Sequence, residues 1–82
     1  MTFMKKRSLN ERKYENWTEL KDGGREYTKE VRGRNGWYAK YVKTEDECET
    51  TLSFMQLIYD SRDELAEVHI KYPFDLGHKK LK

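Results

Sequence analysis

Apolar and polar residues alternate along most of residues 17–72, in short runs separated by glycine, asparagine and aspartate. Residues 17–20 and 26–31 flank the sequence Asp-Gly-Gly at 22–24, which supplies the positive φ angles of a tight hairpin turn. A second break at residues 33–36 contains Asn-Gly, which favours the same kind of turn. The pattern therefore predicts consecutive antiparallel β-hairpins.

Three later runs extend this pattern. Residues 37–43 are rich in aromatic and β-branched side chains, which favours a strand. Residues 50–59 are apolar on both alternating sets, which predicts the most buried strand at the centre of a sheet. Residues 62–72 fit either a helix or a strand. We favour a strand because strand-forming residues dominate and because Pro73 disfavours a helical residue before it.

The short connections between these runs suit strands that pair in chain order. We therefore predict a mainly β fold, an antiparallel meander sheet of about five strands within a single domain at residues 14–76. Ser8 and Glu11 fit a capping box, which favours a short helical turn around residues 9–16. No long helix is available to cover the sheet, so one face is expected to curl on itself, to pack on a second sheet or to meet another subunit. The last of these alternatives predicts a homodimer.

The charge is distributed unevenly along the 82 residues. The chain has 17 Lys and Arg against 15 Asp and Glu, a net charge of +2. Residues 1–14 carry +4 and residues 77–82 carry +3, which leaves −5 for residues 15–76. We predict a basic flexible N-terminal arm at residues 1–13 and a basic C-terminal tail at residues 77–82. Such segments bind polyanions by releasing counterions.

Several classes of protein are disfavoured. No apolar run has the length of a membrane span, and the first residues lack the apolar stretch of a signal peptide. A single cysteine excludes an intrachain disulfide and a zinc site built on paired cysteines. Glycine-rich nucleotide-binding motifs and metalloprotease motifs are absent from the sequence. We therefore expect a cytoplasmic protein with no cofactor and no metal site.

The candidate catalytic residues are His69, His78 and Asp75. His69 falls on the polar side of the last predicted strand, and His78 follows a glycine and precedes two lysines in a predicted loop. Two histidines are suited to the general base and general acid roles of metal-independent RNA cleavage. Two histidines in a chain of this length are nevertheless ordinary, so we expect a non-enzymatic protein.

Aromatic side chains are expected on both faces of the predicted sheet, since they occupy both alternating sets of residues 37–42. Exposed aromatic residues beside basic ones can stack the bases of single-stranded nucleic acid. The residues predicted to bind nucleic acid are Lys5, Lys6, Arg7, Arg32, Arg34, Lys40, Lys79 and Lys80.

The C-terminal half contains an aromatic and basic strand, a Tyr-Asp turn and a Gly-His end with lysines, at residues 38–41, 59–61 and 75–80. This order resembles that of small uncharacterised prokaryotic domains that are the toxin components of TumE-like toxin–antitoxin pairs. The resemblance implies an activity directed at RNA or translation near Asp75 and His78.

Three hypotheses about function follow. The first is an accessory or binding module whose partner is RNA or a nucleic-acid complex, which the basic ends favour. The second is a toxin-like ribonuclease that needs no metal. The third is a protein–protein interaction module or the subunit of a homodimer.

Overall fold

The structure is a computed structural model, and it describes residues 3–81. The elements are α1 at Phe3–Lys13, β1 at Asn16–Glu19, β2 at Arg25–Arg32, β3 at Tyr38–Glu45, β4 at Thr51–Tyr59, β5 at Leu65–Tyr72 and β6 at His78–Lys80. The six strands form one sheet in chain order, and each pairs with its neighbour in the antiparallel sense. The prediction of a mainly β antiparallel meander with a short N-terminal helix is therefore confirmed.

The turn chemistry explains the hairpins. Asp22 accepts a hydrogen bond at Oδ1 from the backbone N–H of Gly24 at 2.9 Å, which closes the β1–β2 turn. Asn35 and Gly36 have φ angles of 57° and 81°, as a hairpin turn with two left-handed residues requires. The N–H of Trp37 donates to the carbonyl of Arg34 at 3.0 Å across that turn.

Both ends of the chain carry more regular structure than the sequence predicts. Helix α1 begins at Phe3, well before the helical turn predicted at residues 9–16, and covers most of the predicted basic arm. Strand β6 lies in the predicted basic tail and pairs with β5. This strand has three residues and none is apolar, so the hydrophobic pattern does not mark it. The choice of a strand over a helix for β5 is confirmed.

The sheet is a single layer with two different faces. We call the face on which α1 lies the front face, and it carries Tyr27, Tyr41, Phe54 and His69. The radius of gyration is 13.8 Å, against about 12 Å for a compact domain of this length. The prediction that β4 is central is confirmed, but the prediction that it is the most buried strand is wrong. The side chains of β4 stay partly exposed because no second layer packs over the whole of either face of the sheet.

The opposite, back face has an apolar centre. Cross-strand pairing aligns Val42 with Met55 and Ile70, and Leu57 with Val68. Apart from the buried Val42, these side chains are half-buried. No helix or second sheet formed by residues 3–81 lies on this face. The homodimer expected from such a sheet stays a prediction.

Within residues 3–81, no helix combines the length and the apolar character needed to cross a membrane.

Candidate nucleic-acid interface

A row of polar and aromatic side chains crosses the front face at right angles to the strands. The register of the sheet places in this row Lys29, Tyr41, Gln56, His69 and His78, one from each of β2 to β6. Neighbouring strands lie about 4.8 Å apart, so the row is about 19 Å long. Within it, Gln56 Nε2 donates a hydrogen bond to Tyr41 Oη at 3.1 Å. The meander thus brings together residues that are far apart in the sequence.

The histidine end of the row joins all three candidate catalytic residues. His69 Nε2 lies 2.6 Å from Asp75 Oδ1. The rings of His69 and His78 are in contact, with centroids 4.3 Å apart and an interplanar angle of 47°. His78 Nδ1 lies 3.5 Å from Glu67 Oε1. Each imidazole therefore has its own carboxylate partner.

The loop between β5 and β6 positions Asp75. Its Oδ1 also accepts a hydrogen bond from the backbone N–H of Gly77 at 2.9 Å. The hydrogen bond with His69, together with that from Gly77, lowers the pKa of Asp75 below its ordinary value of 3.8. A carboxylate held in this way stays ionised near neutral pH and fixes the orientation of the His69 ring.

Exposure distinguishes the two histidines. The His69 side chain is 13% exposed and that of His78 is 45% exposed. His69 Nδ1 is buried and has no hydrogen-bond partner among the described residues. Rings in contact leave no room for a phosphate between them, so they cannot flank a scissile bond from opposite sides. The geometry makes His78 the accessible imidazole, with His69 packed behind it.

Towards β2 and β3 the row contains aromatic and cationic side chains, and further ones lie beside it. The rings of Tyr41 and Phe54 are stacked, with centroids 6.1 Å apart and an interplanar angle of 21°. Lys71 Nζ lies 5.4 Å from the centroid of Tyr41 and 5.5 Å from that of Phe54. Lys29 Nζ lies 5.8 Å from the centroid of Tyr41. We call this part of the front face the open end, which comprises Lys29, Tyr41, Phe54, Gln56, His69, Lys71 and His78.

Another part of the front face lies beneath α1, and we call it, together with the helix and loop residues that pack on it, the covered end. It comprises Asn10, Tyr14, Tyr27, Glu45 and Glu49. Glu49, only 3% exposed, accepts hydrogen bonds from Arg7 Nε at 2.9 Å, Asn10 Nδ2 at 2.8 Å and Tyr27 Oη at 3.0 Å. These bonds fix the helix to the β3–β4 loop.

The ionisation of Glu49 follows from these contacts. Burial alone raises the pKa of a carboxyl group, because it disfavours the charged form. The hydrogen bonds from Arg7, Asn10 and Tyr27 and the charge of Arg7 outweigh burial, so the pKa of Glu49 lies below its ordinary value. Burial also raises the pKa of the Tyr27 hydroxyl, which therefore stays a neutral donor at neutral pH. The covered end is thus held by an ionised, fully partnered carboxylate.

The residues predicted to bind nucleic acid do not lie on one surface. Lys5 and Lys6 are exposed on α1, whereas Arg7 is engaged with Glu49. Arg34 lies in the β2–β3 turn. The side-chain alternation of the sheet places on the back face Arg32, Lys40 and Lys79, and places Lys80 on the front face.

Sequence reasoning missed four residues of the open end. These are Lys29, Tyr41, Phe54 and Gln56, whereas Lys71 was considered only as a cation for RNA cleavage beside the histidines. Each belongs to a strand that was predicted, but only the cross-strand register shows which side chains are neighbours. The sequence feature that best indicates these residues is the alternation around Tyr41, which predicts an aromatic residue on each face of the sheet. The structure confirms this, since Tyr41 lies on the front face and Tyr38 stacks on Tyr59 on the back face.

No group of three or more His, Cys, Asp or Glu side chains in residues 3–81 is arranged to hold a metal ion. Comparison of the chain with models of protein families, with curated proteins and with solved structures gives no match.

Proposed function

We propose that the protein is a non-enzymatic binding module that takes single-stranded RNA on the open end of the front face. The observation that carries the proposal is the stacked pair of Tyr41 and Phe54 with Lys71 above both rings. Proteins that bind single strands combine aromatic side chains that stack on bases with cations that follow the phosphates. The open end has both on one half-buried sheet surface.

The aromatic pair supplies the stacking surface. Both rings are partly exposed and lie nearly parallel to each other. A base that stacks on Phe54 displaces the ammonium group of Lys71 from the ring. The displaced ammonium then lies close to the phosphate of the same or the next nucleotide, so that one residue serves both contacts in turn.

The lysines supply the electrostatic attraction. Lys29, Lys71 and Lys80 lie on the front face, and none of them has a salt bridge to another residue of the described chain. The two carboxylates at this end, Glu67 and Asp75, are each paired with a histidine. With both imidazoles uncharged, these three lysines against two carboxylates leave a net charge of +1 on this part of the front face. Gln56 and the two imidazoles add hydrogen-bonding groups suited to base edges and ribose hydroxyls.

The test is fluorescence anisotropy with a labelled single-stranded RNA of about ten nucleotides, a length within the range of small sheet-based sites. The full chain should bind at low salt. The double variant Lys29→Ala with Lys71→Ala should bind more weakly and reduce the slope of log K against log salt by about 0.7 per lysine. Phe54→Ala should weaken binding about tenfold through lost stacking.

The matched control is Lys40→Ala, which removes a lysine from the strand that carries Tyr41 but on the back face. It should leave affinity and salt slope close to those of the unchanged protein. An equal effect of Lys40→Ala and of the front-face variants would overturn the proposed surface. Absence of binding at low salt would overturn the function. Deleting residues 1–13 is not a clean test, because α1 contributes Arg7 and Asn10 to the covered end.

Cleavage of the bound RNA is a second candidate function, favoured by the exposed ring of His78. Its Nδ1 faces Glu67, which leaves Nε2 to accept the proton of a ribose 2′-hydroxyl as that oxygen attacks the adjacent phosphorus. The bond from phosphorus to the 5′-oxygen breaks at the same centre, and the departing 5′-oxygen takes a proton from solvent water. Lys80, which is opposite Glu67 in the sheet, would stabilise the added negative charge. The resemblance to TumE-like toxins supports the same class of substrate.

This candidate predicts RNA fragments that end in a 2′,3′-cyclic phosphate. His78→Ala should abolish them without weakening RNA binding more than about tenfold, and expression of the unchanged protein should inhibit growth. Benign expression together with intact RNA after long incubation would contradict cleavage and leave the binding function standing.

A further inference from the structure

A groove of about 690 Å³ lies between α1 and the sheet, beside the open end. Its volume is within the range of sites for small molecules. Residues from the helix and from β3 to β5 line it, among them Lys6, Lys13, Tyr14, Glu45, Phe54 and Tyr72. Phe54 belongs to this groove and also to the stacked pair of the open end. The groove is therefore continuous with the surface proposed to take RNA.

Glu45 is the unusual residue of the groove. It is 1% exposed. Its Oε1 accepts hydrogen bonds from Asn10 Nδ2 at 3.2 Å and lies 3.1 Å from Lys43 Nζ, whereas its Oε2 is buried with no hydrogen-bond partner in residues 3–81. A buried carboxyl oxygen without a hydrogen-bond partner is costly, so this atom favours a ligand that offers an N–H group.

The other lining residues favour a flat ring and an anion. Tyr14, Phe54 and Tyr72 present aromatic surface, and Tyr72 is 44% exposed. Lys6 and Lys13 are exposed on α1, seven residues apart and thus on the same side of the helix. Neither has a salt bridge to a described residue. An anion bound by them would lie at the rim, above the aromatic surface.

From these three features we propose that the groove is a base-selective nucleotide site, in which Glu45 recognises a base with an exocyclic amino group, such as cytosine, and discriminates against uracil. The inference rests on the proposed RNA-binding function and adds a base preference to it. Cytosine and uracil have nearly the same shape, but the N4 amino group of cytosine donates to a carboxylate. The corresponding oxygen of uracil would face Glu45 Oε2 as a second acceptor and be repelled. The phosphate lies with Lys6 and Lys13.

Calorimetric titration of the full chain with cytidine monophosphate and with uridine monophosphate tests the site directly. Cytidine monophosphate should bind at least about tenfold more tightly, since a hydrogen bond to a buried charged group separates the two ligands. Equal affinity for the two nucleotides, or binding of neither, would overturn the inference.

Variants locate the site. Glu45→Gln should reduce the preference for cytidine over uridine to less than about threefold, because an amide can both donate and accept. Glu47→Gln, an exposed carboxylate in the β3–β4 loop, is the matched control and should keep the full preference. Circular dichroism checks that each variant is folded. If Glu45→Gln unfolds the chain, the relative affinities of the unchanged protein for the two nucleotides still test the proposed base preference.

Oligonucleotides separate this inference from the proposed function. A cytidine decamer that binds more tightly than a uridine decamer supports both. Equal binding of the two decamers overturns the base preference and leaves RNA binding intact. Failure of both decamers to bind overturns the RNA function. If cytidine monophosphate still binds selectively in that case, the groove is a site for free nucleotides.

Discussion

The two ends of the front face contain similar chemical groups in opposite environments. At the covered end, Glu49 is buried and accepts hydrogen bonds from three side chains. At the open end, Asp75 is paired with His69, but its own side chain is 66% exposed. Both carboxylates have a lowered pKa. The first is enclosed by α1 and the second faces solvent.

This difference separates a structural role from a functional one. A buried, paired carboxylate leaves its partners unpaired in a low-dielectric environment when it is removed, which is strongly destabilising. An exposed pair contributes little to stability, because water and salt screen it. We therefore infer that Glu49 at the covered end stabilises the fold, and that polar groups at the open end are retained for binding.

The largest effect is expected from Glu49→Ala at the covered end. The variant leaves Arg7, Asn10 and Tyr27 without their shared acceptor and should lower the free energy of unfolding by about 3 kcal/mol. Urea unfolding followed by circular dichroism measures this. Glu47→Ala in the same loop is the control and should change it by less than about 0.5 kcal/mol. Similar values for the two variants would contradict the structural role of the covered end.

A smaller effect is expected from Gly24→Ala, immediately before β2. A Cβ atom at this position would collide with the backbone carbonyl of Glu45, and a rigid strand cannot move away. We expect a loss of about 2 kcal/mol from this steric clash. Gly77→Ala is the comparison near the open end, where φ is +71° and, apart from the two neighbouring residues in the chain, no described residue has an atom within 4 Å of the added Cβ. It should cost about 1 kcal/mol through backbone strain alone.

The pH dependence of stability should also differ between the ends. Because folding lowers the pKa of Glu49 from 4.5, its contribution to stability is present above pH 4.5 and is lost as the pH falls through the lower, folded value. Thermal unfolding between pH 7 and pH 2 should therefore show a decrease in stability that Glu49→Gln makes shallower. Asp75→Asn should alter that slope less, since Asp75 is exposed. A larger effect of Asp75→Asn than of Glu49→Gln on this slope would contradict the structural role of Glu49.

The smallest effect on stability is expected from Asp75→Asn at neutral pH. The urea midpoint should agree with that of the unchanged protein within experimental error, while RNA affinity at low salt should change measurably because His69 loses its orienting carboxylate. A stability loss comparable to that of Glu49→Ala, without a change in RNA binding, would show that the His69–Asp75 pair is structural.

The prediction of the sheet from the sequence succeeded where the information was local. Asp22 and the Asn35–Gly36 pair have backbone preferences that fix the turns wherever they occur. The strand assignment of β5 succeeded for the same reason, since its residues and the proline after it favour extended backbone. The length of α1 was underestimated because contacts with distant residues, Glu49 among them, stabilise a helix that is weak on its own.

The candidate site was only partly predictable. His69, His78 and Asp75 were identified by their chemical type, and the structure brings them together. Their relative positions depend on how β5 pairs with β6, and those of Tyr41 and Phe54 depend on how β3 pairs with β4. Because a shift of register by one residue moves every side chain to the other face, no local pattern contains this information.

The sequence by itself determined the turns, the antiparallel order of the strands and the presence of aromatic residues on both faces, because each depends on residues that are neighbours in the chain. Only the tertiary structure decided which carboxylate is buried and which is exposed. It also decided which lysines share a face and that a groove lies beside Glu45. These properties arise from contacts between residues far apart in the chain, which exist only once the sheet and α1 have come together.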